Sequence, residues 1–489
     1  MVIFLTRPAN GPCTSAAPRI SLPTDLTMPC RVMGRPGTSG SPVSKMAGAA
    51  FKRILFLILT WSTQGSITAQ PNPNPDPTLD ASIVNELSAQ HFPGAVTVIV
   101  KDDRIVWMQG YGLADIANAI PVTDTTNFIL ASVSKLFTGT AAMQLIENDV
   151  IDLDDDVDDF LPWPVHVPGF PNDPITFRQL MTHSSSIQDD YGTMGTYYGY
   201  PDPTMTLADC MQRYFSPTGA DFDPADNFIA TQPGSVFEYS NMATALNGYL
   251  VEHASGMGFD PYCQTHIFED LCMERTYWHI AYHDTTGIAR PYRWSGGNYI
   301  PYAHYGFADY PDGQLRSNAR DLANFMIAYL NGGTFGTNTI LTPASIDQMW
   351  TPQIPGIEDS QGLNWYKEVL FHSNGSAWVW GHNGGSEGAS ADLYLDPENG
   401  IGVCVLANGE GDGLGICDLL YDHAINLTST QGITPDCLVT GTGTHEQVAG
   451  NKRWVRTIDV LGRETEMAKN TPLMKVFSDG SVERVLILE

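Results

Sequence analysis

The sequence predicts an α/β protein of the α+β type: an antiparallel sheet flanked by helices, a helical subdomain, and a small separate β module at the C-terminus. Three observations carry this expectation. Strand-like stretches lie early, in "GAVTVIVKDDRIVWMQGYG" (94–112), and late, in "SADLYLD" (390–396) and "IGVCVLAN" (401–408). Between them the apolar residues have helical spacing. Beyond residue 428 the composition turns Thr- and Gly-rich, and strand-like patterning then returns at 453–489. Strands at both ends of the domain with helices between them imply one sheet assembled from both chain ends.

Residues 1–45 are rich in Pro, Gly, Ser and Arg without periodicity, and read as a leader translated from a start codon set too far upstream. Residues 46–69 have the layout of a secretory signal peptide: Lys52 and Arg53, the apolar run "ILFLILTW" (54–61), then "STQGSITA" with a cut expected after Ala69. That run is too short for a stable membrane span. A Pro/Asn linker (70–78) leads into the main domain, 79–428. A helix carrying Ile83, Val84 and Leu87 opens it. In the first strand Val96, Val98 and Val100 alternate with Thr97, Ile99 and Lys101, and Asp102–Asp103 make the turn. Helices are expected over 128–150, 176–183, 241–256 and 319–331, the last stopped by Gly332–Gly333. Residues 187–232, rich in Tyr, Pro, Asp and Gly, are expected as long loops. "PENG" joins the two late strands, and 414–426 is a closing helix. A linker (429–445) and the β module (446–489) follow, with "SDGSV" as a hairpin turn.

The 489 residues are 43% hydrophobic, and 25 Lys and Arg stand against 54 Asp and Glu, a net charge of −29. Residues 1–69 hold seven of those basic residues and one acidic one, so the acidity belongs to the rest of the chain. Nucleic acid is excluded as a partner, because phosphate binding needs a basic patch. Cys13 and Cys30 fall in the leader; the other six cysteines allow 15 pairings and contain no CxxC. His279 and His283 are four residues apart but lack the H-E-x-x-H pattern, so no metal and no cofactor is expected.

"FILASVSKLFTGTAAMQLIENDV" (128–150) places Ser132 and Lys135 three residues apart at the start of an apolar helix. Such residues share one face. A serine hydroxyl is a weak nucleophile until a base takes its proton, and a lysine in an apolar setting can be that base. The helix N-terminus favours an anionic oxygen beside it. Two further groups accompany this pair: Tyr239-Ser240-Asn241 just before a helix, and His382-Asn383-Gly384 in "VWGHNGGSEG" (379–388).

With these three motifs in this order, residues 80–428 resemble the serine β-lactamase-related family: class C β-lactamases, D-alanyl-D-alanine carboxypeptidases and related esterases and aminopeptidases. The resemblance implies a β-lactamase/transpeptidase-like fold and hydrolysis of an ester or amide acyl bond in a small-molecule or peptide substrate, through an acyl-enzyme. It implies that Ser132 is the nucleophile, that Lys135 assists its deprotonation, and that Tyr239, as phenol or phenolate, shuttles protons. Asn241 would bind the substrate carbonyl. His382 would be the cationic or hydrogen-bonding residue opening the third motif, followed by Asn383, with Gly384 letting substrate lie along the strand. The backbone N–H groups of Ser132 and Gly385 would form the oxyanion hole. Deacylation would fall to Tyr239 and Lys135. His at 382 and Asn at 383, where many members have Lys and Thr, tilt the expectation toward esterase or peptidase. "HSSSI" departs from the family's His-Thr-Ser-Gly, and His183 reads as structural. The 106 residues between Ser132 and Tyr239 would reshape the cleft, with Tyr191, Tyr197, Tyr198 and Tyr200 lining it or packing the loop.

Two other readings compete. "GGSEG" (384–388) matches G-x-S-x-G, which would make Ser386 the nucleophile of an α/β-hydrolase if a helix followed it. A fold of this kind could also persist as an inactive binding module at a surface. Finally, "LGRE", "NTPL" and "DGSVE" in the tail are similar to the C-terminal sorting domain of the type IX secretion system of Bacteroidetes. That resemblance implies passage through the periplasm of a Gram-negative cell, with this machinery as a partner, to a secreted or cell-surface location.

Overall fold

The computed structural model describes residues 72–282, 285–435 and 437, together with the backbone of 454–459, 473–477 and 482–485. The leader and the signal segment lie outside the described residues, as does most of the 429–445 linker.

Seven strands form the main sheet: β1 (Gly94–Lys101), β2 (Arg104–Asp115), β3 (Ile120–Pro121), β4 (Tyr366–His372), β5 (Gly375–Ser386), β6 (Ala389–Asp396) and β7 (Ile401–Ala407). They are antiparallel in the order β4-β5-β6-β7-β1-β2-β3, so the first and last parts of the domain meet where β1 pairs with β7. The predicted turn at Asp102–Asp103 is present, with Asp102 at φ +53°. Six helices matter here: α1 (Pro77–Ala89), α2 (Ser134–Glu147), α3 (Leu207–Phe215), α4 (Asn241–Ser255), α5 (Ala319–Leu330) and α6 (Leu414–Ala424).

The alternation in β1 sorts its side chains between two cores, and residues 94–100 are all buried. Val96, Val98 and Val100 enter the larger core with Leu136, Leu246, Phe325 and Leu406. Ala95 and Ile99 enter the smaller one with Leu79 and Ile83 of α1 and Ile416 and Leu420 of α6. Buried Thr97 on that second face accepts the Trp107 indole N–H at 2.9 Å, so neither polar atom is left dry and alone. The sheet is therefore the middle of three layers.

Two expectations need correction. The stretch 128–150 is not one helix: Phe128–Ile129 pairs with Arg316–Ser317, a 3₁₀ turn covers Ala131–Val133, and α2 begins only at Ser134. Residues 187–232 are not all loop, because α3 lies within them. Thr206 caps it, and Leu207, Cys210, Met211, Tyr214 and Phe215 bury one face at helical spacing. The helix at 319–330 does stop at Gly332 and Gly333, whose φ values are +63° and +87°.

Pairing between β4 and β5 ends at Tyr366 opposite Gly381, so His382–Ser386 have β6 on one side and an open edge on the other. The turn at 130–133 packs against that edge. A Cβ on Gly384 would lie 2.5 Å from the Leu130 carbonyl oxygen and 2.8 Å from the Ser132 nitrogen, which is why glycine stands there.

Beyond α6 the chain returns to β2: Ile433 and Ile105 exchange two backbone hydrogen bonds of 2.9 and 3.0 Å. The tail strands β8 (Trp454–Asp459), β9 (Leu473–Phe477) and β10 (Val482–Val485) form an antiparallel sheet, and β9 and β10 are the hairpin expected around "SDGSV". Among the described residues no disulfide joins the cysteines, and Cys210, Cys263, Cys404 and Cys417 are buried.

The central strands carry the stability. Leu406→Ala, at a fully buried position, should cost about 2–5 kcal/mol. Val84→Ala, on the exposed side of α1, should stay within about 0.5 kcal/mol. Urea unfolding midpoints of the two variants check the contrast.

Candidate active site

The 3₁₀ turn holds Ser132 against strain. Ala131 precedes it at φ +45°, a conformation costing an L-residue roughly 1–2 kcal/mol. The turn is fixed by Leu130 N–H bonding the Leu315 carbonyl (2.8 Å), and by Leu315 N–H bonding the Ser134 hydroxyl (3.1 Å). Ser132 is left half-buried, while Lys135, the second residue of α2, is fully buried. Lys135 Nζ lies 3.1 Å from Ser132 Oγ, 2.7 Å from Asn241 Oδ1 and 2.7 Å from the Asp312 carbonyl oxygen. Among the described residues no ion pair engages it.

This triangle decides what the amine can do. Asn241 Oδ1 and a backbone carbonyl are acceptors only. Each takes one Lys135 hydrogen, and the third direction of the amine is left facing Ser132 Oγ. Tyr239 donates its phenolic O–H to the same Oγ at 2.9 Å. Burial raises the Tyr239 pKa, while Lys135 and the bond to Ser132 pull it back down. At neutral pH it is the phenol, not the phenolate.

Asn241 is placed differently from expectation. Its oxygen holds Lys135, and its Nδ2 donates to Asp189 at 2.9 Å. One amide hydrogen remains for a substrate carbonyl. Asp189 is a residue that sequence motifs missed. Its carboxylate also accepts the Ser240 hydroxyl (2.9 Å) and the N–H groups of Asn241 (2.9 Å) and Met242 (3.0 Å). It thereby clamps the N-terminus of α4, which Ser240 caps through Ala243 N–H. His183 supports the other side: its Nδ1 accepts the Ser240 N–H at 3.2 Å, and its ring lies 4.3 Å from that of Tyr239. Burial holds His183 well below its ordinary pKa, so it is neutral and structural in its contacts.

On the opposite wall, burial and then the charge of Lys135 push His382 down to about 3. It is a neutral hydrogen-bonding group and no cation. Its Nδ1 hydrogen bonds the Asn383 carbonyl, which accepts only, so Nδ1 carries the proton. The Asn383 N–H bonds Tyr366 Oη at 3.0 Å, on the side away from β6. Alternate residues of a strand send their N–H groups to the same side, so the Gly385 N–H is aimed across the open edge toward Ser132. Among the described residues the Ser132 N–H bonds no backbone carbonyl. Two donors thus converge beside the hydroxyl.

Ser386 has another role. It ends β5 and is followed by a tight turn into β6, with no helix. Its hydroxyl bonds the Tyr305 phenol at 2.8 Å. The nucleophile-elbow reading is overturned by this hairpin. The four loop tyrosines divide: exposed Tyr191 meets Asp189 at the rim, and Tyr198 stacks on Tyr305, whereas Tyr197 is buried against Asp221 and Tyr200 projects from the surface. His279 packs edge-on against Tyr310, and His283 lies outside the described residues.

Removing the clamp should be costly. Asp189→Ala leaves four donors without their acceptor and should destabilise the protein by roughly 3 kcal/mol. A fall in thermal midpoint of several degrees, beside an unchanged midpoint for Asp226→Ala at an exposed surface acid, is the expected result.

The beta-lactamase family model matches residues 79–422. Protein flp of Staphylococcus aureus strain MW2 is 24% identical over 337 residues, covering 68% of this chain and 62% of its own length. The chain thus spans under two thirds of that relative. Among solved structures, the octameric penicillin-binding protein homologue from Pyrococcus abyssi superposes with a TM-score of 0.57 at 23% identity, over 83% of this chain and 89% of its own. The D-stereospecific amidohydrolase from Streptomyces sp. gives 0.55 at 23% identity, over 70% and 98%. The structural likenesses bear on fold, and the matched segment contains the whole Ser132 cleft. This chain belongs to the beta-lactamase family, whose serine hydrolase fold it shares.

Proposed function

We propose that the protein is a serine hydrolase that cleaves an ester or amide acyl bond through an acyl-enzyme on Ser132. The observation that carries this reading is the Lys135 Nζ held 3.1 Å from Ser132 Oγ by two further acceptors. Ser132 Oγ attacks the acyl carbonyl as its proton passes to Lys135 Nζ. The oxyanion meets the N–H groups of Ser132 and Gly385, each worth roughly 10²–10³ in rate at comparable sites. Collapse breaks the bond to the leaving group, which takes a proton from Tyr239, itself reprotonated through Ser132's partner Lys135. Water then attacks the acyl carbonyl as its proton passes through the Tyr239 hydroxyl to Lys135, and Lys135 returns that proton to Ser132 Oγ as the acyl-enzyme bond breaks.

The charges around Ser132 favour an uncharged acyl donor. His382 is neutral, Arg316 is buried with its guanidinium on the carbonyls of Gln314 and Tyr305, and Glu387 is exposed beside the cleft. Nothing but Lys135 would meet a substrate carboxylate. Small esters, and D-amino-acid amides or peptides without a free carboxylate beside the cleaved bond, therefore fit better than β-lactams. The inactive binding module is the second reading. Its weakness is that a module that only binds has no use for a base aimed at a hydroxyl.

Export through the signal segment and a type IX sorting function of 446–489 are also proposed, on the sequence resemblances alone. In a host with that machinery, deletion of 446–489 should trap the protein in the periplasm. Normal release of the truncated chain would refute the sorting role.

The catalytic reading is tested by intact mass after treatment with a fluorophosphonate. One adduct is expected, lost in Ser132→Ala, retained in Ser386→Ala, and formed at least ~10²-fold more slowly in Lys135→Ala. No adduct on folded protein would favour the binding module.

A further inference from the structure

Past Gly381, strand β5 has β6 on one side only, and its open edge is held at two points by phenols. At the near end the Tyr366 hydroxyl accepts the Asn383 N–H at 3.0 Å. At the far end Tyr305 Oη lies 2.8 Å from Ser386 Oγ and 2.8 Å from the Glu387 carbonyl oxygen. The carbonyl only accepts, so the phenol donates its single hydrogen there and takes the Ser386 hydroxyl hydrogen on its own oxygen. Gly384 and Gly385 lie between the two phenols. Gly384 abuts the Leu130 carbonyl, whereas a Cβ on Gly385 would meet nothing within 4 Å. Apart from its pairing with β6, Gly385 is therefore placed by its neighbours along the strand.

Tyr305 is itself anchored. It is fully buried, Tyr198 stacks on its ring at 5.5 Å, and it packs with Ile129, Phe307 and Ala389. Its carbonyl accepts an N–H of the buried Arg316 guanidinium, which also bonds the Gln314 carbonyl at 3.1 Å. Leu315, between those two residues, holds the Ser132 turn: its carbonyl accepts the Leu130 N–H at 2.8 Å, and its N–H bonds the Ser134 hydroxyl at 3.1 Å. The three residues Gln314–Arg316 are thus a common mount for both sides of the oxyanion site. They act directly on the Ser132 turn, and through Tyr305 on the end of β5.

We infer that Tyr305 is a positioning residue for the Gly385 N–H, and that it sets the spacing of this donor from the Ser132 N–H. The inference rests on the reading of Ser132 as the nucleophile. Being fully buried, the phenol touches no substrate and acts only through the strand. Two N–H donors stabilise a developing oxyanion only while both lie at hydrogen-bond length from one point, and a misplacement of about 1 Å can cost ~10² in rate. Without the Tyr305 hydroxyl, Ser386 and Glu387 lose their tie to the Gln314–Arg316 mount, and the end of β5 is free to drift from the Ser132 turn. The hairpin itself persists, because the Gly388 N–H still bonds Glu410 Oε1 at 3.1 Å and Ser386 still pairs with Ala389.

The test is the rate at which a fluorophosphonate modifies Ser132 in the full chain, followed by intact mass against probe concentration and pH. The phosphoryl oxygen of the probe would occupy the place of the acyl oxyanion. Tyr305→Phe removes the hydroxyl and keeps the ring. The limiting rate of adduct formation should fall about tenfold, with the half-saturating probe concentration within about twofold and the pH midpoint unmoved. Ser386→Ala is the second variant, and carries the test if Tyr305→Phe does not fold. It removes one of the two contacts and should slow the limiting rate about threefold, and adding it to Tyr305→Phe should slow the reaction no further. An undiminished rate in Tyr305→Phe, or in Ser386→Ala where the first does not fold, would mean that the phenol only fills space behind the strand. A fall with a shifted pH midpoint would mean that it acts on Lys135. Either result would overturn the inference and leave Ser132 standing as the nucleophile. Absence of a Ser132 adduct on the unmodified protein would overturn both.

Discussion

A fully buried amine is the constraint around which this molecule is arranged. Lys135 has no carboxylate in ion-pairing reach among the described residues, and it lies at the start of a helix whose first three turns are dry. An ammonium in such a place is expensive unless its hydrogens are met. The fold meets them from three directions: Ser132 from the strained turn, Asn241 from the head of α4, and the Asp312 carbonyl from the turn behind. Each of those groups is in turn held by something rigid. Asp189 fixes Asn241, the Thr138–Pro311 contact fixes the 310–312 turn, and pairing of Phe128–Ile129 with Arg316–Ser317 fixes Ser132. Precision at the hydroxyl is inherited from this nested support.

Much of the scaffold was legible because its signals are local. The hairpins at 94–115 and 389–407 follow from alternation and turn residues, and the helix at 319–330 from its spacing and its Gly-Gly stop. Ser132, Lys135, Tyr239 and His382 were legible as motifs, and the structure brings them to one cleft. What escaped was whatever depends on contacts across the chain. The helix boundary at Ser134 is set by a left-handed Ala131 and a strand partner 188 residues away, neither visible in "FILASVSK". Asp189 sits in an acidic, polar loop with nothing to mark it from Asp190, yet it accepts four hydrogen bonds. Helix α3 hid in a segment whose composition says loop. Asn241 was recognised as a motif residue, but its contacts with Lys135 and Asp189 could not be read from the motif.

The two walls of the cleft are electrically unequal in a way a motif cannot convey. His382 could have been a cation by residue type. Its burial first, and the charge of Lys135 second, keep it neutral.

The bridge between Ile433 and Ile105 has a mechanical consequence. Strands β6, β7 and β1 separate β2 from β5, so the point where the chain leaves the sheet is roughly 19 Å from the strand that borders Ser132, at the usual spacing between neighbours. Load drawn through residues beyond Ile433 would be shared by those two hydrogen bonds and by the Arg104–Thr434 side-chain bond, on a strand remote from the turn that holds Ala131 and Ser132. A protease acting downstream of them would shorten the chain without disturbing a single contact of the cleft.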